Sequence, residues 1–238
     1  MIEALGRGYR LTHMRMLVHD TPEATATASA NRIAEIMEDG EDAFSLGLAG
    51  GSTPEATYRS LRGRGRSWGR VDAWLSDERW VPPDHQRSNG RMAAETLLDH
   101  VEARFYRPRW SEFMEARDAA AHYEATLRSI HHGRRPDLIL LGLGEDGHTA
   151  SLFPGTAALE EESRWFVANR VPQIDEVRLT ATYPLLWRAR VVMVLVVGER
   201  KAQAVAESVA GQTPAGRLEE GEAEVEWHLD ASAASLLS

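Results

Sequence analysis

The most informative segment of this sequence is Asp137-Leu-Ile-Leu-Leu-Gly-Leu-Gly-Glu-Asp-Gly-His-Thr-Ala-Ser-Leu-Phe-Pro154. Its four consecutive apolar residues, Leu138 to Leu141, are typical of a strand that is buried on both faces of a parallel sheet. Three glycines follow and allow the backbone to turn sharply and to approach a ligand closely. Asp146 and His148 lie beside these glycines. Because open α/β sheets bind their ligands at the carboxyl ends of strands, the segment predicts a functional loop.

Outward from this segment, strands and helices alternate along the chain. Apolar runs predict strands at 14–19, 44–49, 71–75 and 190–197, and amphipathic patterns between them predict helices. The run at 190–197 is the strongest, so we expect it at the centre of the sheet. This order predicts one α/β domain with a Rossmann-like, mainly parallel sheet and helices on both faces.

The ends of the chain are less regular. Weaker patterns predict strands at 164–171 and 177–182 and a terminal helix at 231–237. Residues 1–13 lack an apolar pattern, and we expect there a disordered segment or an extension upstream of the true start. The single domain is therefore expected to span residues 14–238.

Composition excludes several classes of protein. The 238 residues carry a net charge of -9, which argues against nucleic acid as a partner, since phosphate backbones are bound by basic surfaces. The chain has no cysteine, so we expect no disulfide and a location in the reducing cytoplasm. No apolar run approaches the roughly 20 residues that span a bilayer, so we expect no membrane association. No histidine or cysteine spacing is typical of a zinc site, so no metal is predicted.

A second glycine-rich loop follows the strand at 44–49. Its residues are Gly50-Gly51-Ser52-Thr53-Pro54, and a helix is expected from about residue 55 to 61. Free backbone N–H groups at a helix start, with two hydroxyls beside them, can bind an anion. A tight turn that binds nothing is an equally good interpretation of these residues alone.

Charged residues follow the strand at 71–75. Asp77 and Arg79 form either a structural ion pair or a site in which the planar guanidinium of Arg79 binds a phosphate or carboxylate. Asn89 is expected to cap the next helix. Lys201 comes just after the strand at 190–197, in a first helical turn where a cation is unfavourable, so a role in ligand binding is favoured.

Two common site types do not fit the central segment. Gly142-Leu-Gly144-Glu-Asp-Gly147 matches a dinucleotide fingerprint, but Phe153-Pro154 stops any following helix after about two turns, whereas that site needs a full helix. Ser151 is expected within that short helix rather than at a strained turn, which excludes it as a nucleophile. His148 is therefore predicted to be a general base that activates water, with Asp146 fixing its tautomer.

These motifs together resemble the 6-phosphogluconolactonases. The resemblance rests on Gly50-Gly-Ser-Thr-Pro54, Asp77-Glu-Arg79, Ser88-Asn89, Leu141 to Pro154 and Gly198-Glu-Arg-Lys201, in the order of the family. The related glucosamine-6-phosphate deaminases have Gly-His-Ile-Ala-Phe-Asn-Glu-Pro where this chain has Gly-His-Thr-Ala-Ser-Leu-Phe-Pro. One departure is Pro172-Gln-Ile-Asp-Glu-Val177, where the family usually has a Lys-Pro-Pro-type segment.

The resemblance implies hydrolysis of 6-phospho-D-glucono-1,5-lactone in the oxidative pentose phosphate pathway, without a cofactor. It implies His148 and Asp146 as catalytic residues. The substrate-binding residues would be Gly50, Gly51, Ser52, Thr53, Asp77, Arg79, Asn89, Gly144 and Lys201. Whether Arg79 or Lys201 holds the phosphate stays open, and we expect a monomer. The alternatives are an amino-sugar-phosphate deaminase and a non-catalytic sugar-phosphate-binding protein.

Overall fold

The computed structural model of the chain describes residues 3–5, 8–11, 14–39, 43–64, 68–111 and 114–237. They form twelve strands and six α-helices. The strands are β1 (Glu3–Leu5), β2 (Gly8–Leu11), β3 (Met14–His19), β4 (Phe44–Leu48), β5 (Val71–Leu75), β6 (Asp77–Arg79), β7 (Arg104–Tyr106), β8 (Leu138–Gly142), β9 (Phe166–Val171), β10 (Glu176–Ala181), β11 (Val191–Val196) and β12 (Glu224–Asp230). The helices are α1 (Pro22–Glu38), α2 (Ser52–Leu61), α3 (Asn89–Thr96), α4 (Ala116–His131), α5 (Tyr183–Leu186) and α6 (Ala202–Val209).

The larger sheet has the strand order β1-β2-β3-β12-β11-β8-β4-β5-β7. From β3 to β7 every neighbouring pair is parallel, whereas β1 and β2 add an antiparallel hairpin at the β3 edge. Strand β11 is buried along its whole length and pairs with β8 and β12 at the centre of the sheet. The predicted mainly parallel sheet and the central place of this strand are confirmed.

Helices cover both faces of this sheet, as predicted. Successive side chains of a strand point to opposite faces. In β8, Leu138 and Leu140 pack into the core beneath α1, α2 and α3, whereas Ile139 and Leu141 pack into the core beneath α4 and α6. This alternation explains why a fully apolar strand with two buried faces lies in the middle of the molecule.

A smaller antiparallel sheet has the order β6-β10-β9 and packs against the second of these cores through Phe166 and Leu179. Ser76 joins the two sheets, because its backbone N–H donates to Leu48 at 2.8 Å and its carbonyl accepts from Ala181 at 2.8 Å. The chain therefore leaves the large sheet at Ser76 and carries β6 over the carboxyl end of β4.

Three local differences from the sequence predictions concern loops and ends. Thr149 and Leu152 form an isolated antiparallel bridge, with Ala150 at a φ of 48°, so a tight turn replaces the short helix expected around Ser151. Residues 231–236 form turns rather than a terminal helix, and α2 begins at Ser52, not near residue 55. Part of segment 1–13 lies outside the described residues, and its described backbone forms β1 and β2. Within the described ranges, no helix has the length and apolarity to cross a membrane.

Candidate functional site

A cavity of about 260 Å³ lies at the carboxyl ends of β4, β8 and β11, beside the smaller sheet. Most of the predicted site residues line it, namely Gly50, Gly51, Asp77, Arg79, Asn89, Gly144, His148 and Lys201. Asp146 contacts His148, whereas Ser52 and Thr53 lie in the first turn of α2. The fold thus brings together loops that are far apart in the sequence.

The His148 loop, residues 143–148, is closed by its own backbone. Gly144 N–H donates to the carbonyl of His148 at 2.8 Å, and Gly147 N–H donates to the carbonyl of Gly144 at 3.1 Å. A Cβ atom on Gly144 would collide with the imidazole of His148 and the carboxylate of Asp146. Glycine is therefore required here because the two functional side chains pack directly against the backbone.

His148 is held on two sides. Its Nδ1 lies 2.5 Å from Oδ1 of Asp146, and its ring stacks on Phe153 with centroids 3.9 Å apart. An ionised carboxylate only accepts hydrogen bonds, so Nδ1 carries the hydrogen and donates it. In the neutral imidazole Nε2 keeps its lone pair, so this tautomer can accept a proton at Nε2.

Two arginines face each other across the smaller sheet. Arg79 of β6 and Arg178 of β10 are direct cross-strand partners, and both line the cavity. Burial, reinforced by the charge of Arg79, lowers the pKa of Arg178. The Nε atoms of both residues are buried without a hydrogen-bond partner. Like charges in direct opposition destabilise a sheet, so this pair indicates a site for an anion.

Asn89 holds the guanidinium of Arg79 from the side of α3. Its Oδ1 accepts from Nη1 of Arg79, and its Nδ2 donates to Oδ1 of Asp77 at 3.1 Å. The cap of α3 is Ser88, whose Oγ accepts from Arg91 N–H at 3.1 Å, so the expected capping role of Asn89 was wrong. A Cβ atom on Gly50 would collide with the amide of Asn89. No ion pair between Asp77 and Arg79 occurs among the described residues; Asn89 bridges them instead.

Glu78 fixes the start of α3 beside this cavity. Its carboxylate accepts from the backbone N–H groups of Asn89 at 2.7 Å and Gly90 at 2.8 Å, and from Ser88 Oγ at 2.9 Å. Burial raises the pKa of Glu78 although these hydrogen bonds oppose the shift. The carboxylate therefore sets where Asn89 lies.

Lys201 approaches the cavity from the turn after β11. Gly198 N–H donates to Oδ1 of Asp230 at 3.0 Å, which anchors the start of this turn. Burial lowers the pKa of Lys201, although the charges of Glu145 and Asp146 oppose that shift. A third cation is thus partly desolvated next to the Asp146–His148 pair. Among the described residues, no three His, Asp or Glu side chains are grouped as metal ligands.

Comparison with known proteins identifies the family of the chain. A family model described as glucosamine-6-phosphate isomerases/6-phosphogluconolactonase matches residues 20–227. The chain belongs to this family. A 6-phosphogluconolactonase of Rhizobium meliloti is 37% identical over 207 residues, which are 82% of this chain and 87% of the relative. One of a Synechocystis species is 40% identical over 201 residues, which are 79% and 82% of the two chains.

The similarity extends to a solved member of the 6-phosphogluconolactonase family. The structure of the 6-phosphogluconolactonase from Trypanosoma brucei has a TM-score of 0.82 and 29% identity to this chain. The match covers 94% of this chain and 98% of that one. The resemblance that the motifs indicated is confirmed for the family and for the fold.

Among the residues that line the cavity, Arg178 is the main one that the sequence analysis did not predict. In β10 it shares one face of the strand with Glu176 and Thr180, while Val177 and Leu179 lie on the other. Such alternation is typical of a strand with one solvated face. The available signal was an arginine in the alternating strand predicted at 177–182.

Proposed function

We propose that this chain hydrolyses 6-phospho-D-glucono-1,5-lactone to 6-phospho-D-gluconate, the second step of the oxidative pentose phosphate pathway. The observation that carries the proposal is one cavity that combines a cross-strand arginine pair and Lys201 with the Asp146–His148 pair. The cations suit a phosphate and a developing oxyanion, and the imidazole suits the activation of water. The names of the relatives in its family support the same activity.

In the proposed reaction, Nε2 of His148 takes a proton from a water molecule whose oxygen attacks the lactone carbonyl. The carbonyl oxygen gains negative charge in the tetrahedral intermediate, and a nearby cation stabilises it. When the bond from the carbonyl carbon to the ring oxygen breaks, the imidazolium returns its proton to that oxygen. Asp146 keeps Nδ1 protonated throughout and stabilises the imidazolium.

The rest of the cavity would bind the sugar phosphate. The backbone of Gly50 and Gly51 and the first turn of α2, with Ser52 and Thr53, present N–H groups and the positive end of a helix. Arg79, Arg178 and Lys201 would share the phosphate and the oxyanion between them. The carboxylate of Asp77 can accept a hydrogen bond from a sugar hydroxyl, and Asn89 and Gly144 line the cavity beside the sugar.

A direct assay tests this function. Freshly prepared 6-phosphogluconolactone should be hydrolysed well above its spontaneous rate, and glucosamine 6-phosphate should release no ammonia. Ammonia release without lactone hydrolysis would identify a deaminase instead. Binding of 6-phosphogluconate without any hydrolysis would identify a sugar-phosphate-binding protein.

We further propose that the enzyme acts as a monomer, binds no nucleic acid and works in the cytoplasm. A net charge of -9 supports the second point, and the absence of cysteine from the sequence supports the third. Light scattering of the purified protein tests the first.

A further inference from the structure

Ser151 is the centre of a buried polar network that connects the His148 loop to the smaller sheet, which carries Arg79 and Arg178. Its side chain is fully buried, and its Oγ donates to Oδ2 of Asp77 at 2.7 Å. Its backbone is fixed as well, because its N–H donates to Thr180 at 3.1 Å and its carbonyl accepts from Asn169 Nδ2 at 2.9 Å. The hydroxyl therefore has a defined position and a defined partner.

The donors and acceptors of this network allow only one arrangement. The carboxylate of Asp77, which is 7% exposed, only accepts hydrogen bonds. The Nδ2 of Asn89 must therefore point to Asp77, where it lies 3.1 Å from Oδ1 and 2.9 Å from the carbonyl. The Oδ1 of Asn89 then faces Arg79, which only donates, and accepts from its Nη1. A series of hydrogen bonds therefore runs from Ser151 through Asp77 and Asn89 to Nη1 of Arg79, which also donates to the carbonyl of Arg87 at 2.9 Å.

We propose that Ser151 is a positioning residue that fixes Arg79 through Asp77 and Asn89. Its hydroxyl holds Oδ2 of Asp77, so that Oδ1 stays directed at the amide of Asn89. Without that hydroxyl the carboxylate loses one of its two side-chain donors and can rotate. The amide of Asn89 then keeps only the carbonyl of Asp77 as a fixed acceptor for its Nδ2, so its Oδ1 holds Nη1 of Arg79 less firmly and the guanidinium moves more freely in the cavity wall. The kinetic consequence rests on the proposed lactonase function, whereas the structural consequence does not.

The turn at 149–152 gives this serine its position. Thr149 Oγ1 donates to the carbonyl of Gly142 at 2.9 Å, and Ala150 adopts a positive φ of 48°. These features direct the chain back beneath the smaller sheet within three residues of His148. The same turn therefore places the proposed base and fixes the orientation of Arg79.

The kinetic test is a double-mutant cycle with the variants Ser151→Ala, Arg79→Ala and Ser151→Ala/Arg79→Ala. Removing a hydrogen bond to a charged group should lower kcat/KM by about 10- to 100-fold in Ser151→Ala. Because the serine acts through the arginine, the same substitution should change kcat/KM by less than about two-fold when Arg79 is already alanine. Full additivity of the two losses would overturn the proposal. The matched control is Ser29→Ala, which removes a buried serine hydroxyl of α1 and should leave kcat/KM unchanged.

The structural test does not depend on lactonase activity. The Nε–H signal of Arg79 in a ¹H–¹⁵N spectrum, assigned by its absence from Arg79→Ala, should shift or broaden in Ser151→Ala and stay in place in Ser29→Ala. An unchanged signal in Ser151→Ala would contradict the proposal even if the wild type hydrolyses the lactone. If the wild type does not hydrolyse it, the proposed function fails while this test stays valid.

If Ser151→Ala does not fold, Ser151→Cys replaces it in both tests, since the thiol is close in size and a weaker donor. It should give a smaller loss of kcat/KM with the same non-additivity towards Arg79→Ala, and a smaller shift of the Arg79 signal. A Cys variant with wild-type kinetics and an unmoved signal would overturn the proposal.

Discussion

At Gly144 a single hydrogen atom in place of a side chain makes room for the Asp146–His148 pair. Both partners would collide with a Cβ atom there, and the Nδ1 to Oδ1 distance of 2.5 Å leaves the pair no space to withdraw while it stays bonded. Gly144 is therefore needed for contact with two side chains, which sequence alone does not distinguish from contact with a nucleotide.

This close approach leads to a prediction for Gly144→Ala. The new methyl group should displace the imidazole from Asp146, so kcat should fall by about 100-fold, the lower range of a general-base contribution. Overpacking should also cost about 1–3 kcal/mol of unfolding free energy. Steady-state kinetics and urea unfolding measure the two effects. The control is Gly63→Ala, since a Cβ atom there contacts nothing within 4 Å; equal kinetics for the two variants would contradict the account.

Individual residues differ in how far sequence could predict their roles. The place of His148 in the cavity was predictable because it lies among glycines directly after a buried strand. His131 is buried, although it is a polar residue and the sequence analysis assigned it no place in the core. Its spacing was a usable signal, because it lies four residues after Leu127 on the buried face of α4. The helical period predicts a core position for residue 131, but histidine is polar, so the pattern was not recognised.

Among the elements, the smaller sheet is the one that the sequence did not resolve. Strands β9 and β10 were predicted, but an alternating pattern shows only that one face is buried, not which sheet a strand joins. Strand β6 was not predicted at all, since Asp77-Glu-Arg79 has no apolar residue. It becomes a strand because β10 pairs with it and because Ser76 connects it to β4. Such long-range pairing lies beyond local pattern reading.

The cross-strand arginine pair of this sheet leads to a prediction for Arg178→Met, in which KM and the free energy of unfolding respond differently. Arg178→Met should raise KM for the lactone by about 10-fold or more, because a charge-assisted contact to the phosphate is lost. The same change should alter the free energy of unfolding little, because the removal of a buried charge with a lowered pKa offsets the loss of its 2.8 Å ion pair with Glu176, which keeps Arg87 as a partner.

The matched control for that variant is Arg170→Met on the neighbouring strand β9, where an exposed arginine pairs with Asp175. It should leave KM unchanged. Kinetics on fresh lactone and urea unfolding of the ligand-free protein provide both readouts. An Arg178→Met variant with wild-type KM would remove this residue from the proposed phosphate site.

For the whole molecule, the buried side chain of His131 contributes to the pH dependence of stability. His131 Nδ1 donates to the carbonyl of Leu127 at 2.6 Å, and its Nε2 lies 2.7 Å from Ser45 Oγ, which also accepts from Trp74 at 2.9 Å. Burial lowers the pKa of His131, helped by the charge of Arg134 and opposed by Asp137 and Asp72. The folded state therefore holds this histidine neutral.

A lowered pKa in the folded state fixes the sign of the effect. At pH values between the folded pKa of His131 and its unfolded pKa of about 6.5, the unfolded chain binds more protons. The contribution of His131 to stability is therefore fully present above about pH 6.5 and falls as the pH decreases. Burial raises the pKa of Glu219 to about 7, so Glu219 acts in the opposite direction over the same pH range, and the contribution of His131 must be measured by comparison of variants. In urea unfolding at pH 5.5 and pH 7.5, His131→Leu should gain stability at pH 5.5 relative to pH 7.5 when compared with the wild type, whereas His122→Asn, which changes an exposed histidine of the same helix, should keep the pH dependence of the wild type. An unaltered pH dependence in His131→Leu would contradict this assignment.

At the scale of the fold, sequence predicted the large sheet and its central strand well. Long apolar runs report burial on both faces, and that condition is met only inside a parallel sheet covered by helices. The cavity was predicted in outline, because the carboxyl ends of β4, β8 and β11 carry their own glycine loops or cations. Arg178 and the network around Ser151 depend on how the smaller sheet docks onto these ends, which no local pattern specifies.

The central claim is that His148 activates water for lactone hydrolysis, and His148→Asn tests it most directly. The measurement is kcat and KM on freshly generated 6-phosphogluconolactone, above the spontaneous rate, for the wild type, His148→Asn and the exposed-histidine control His122→Asn. Loss of a general base predicts that kcat of His148→Asn falls by about 10²- to 10⁴-fold, while KM stays within about three-fold and the control keeps wild-type values. A kcat within a few-fold of the wild type for His148→Asn would contradict the account.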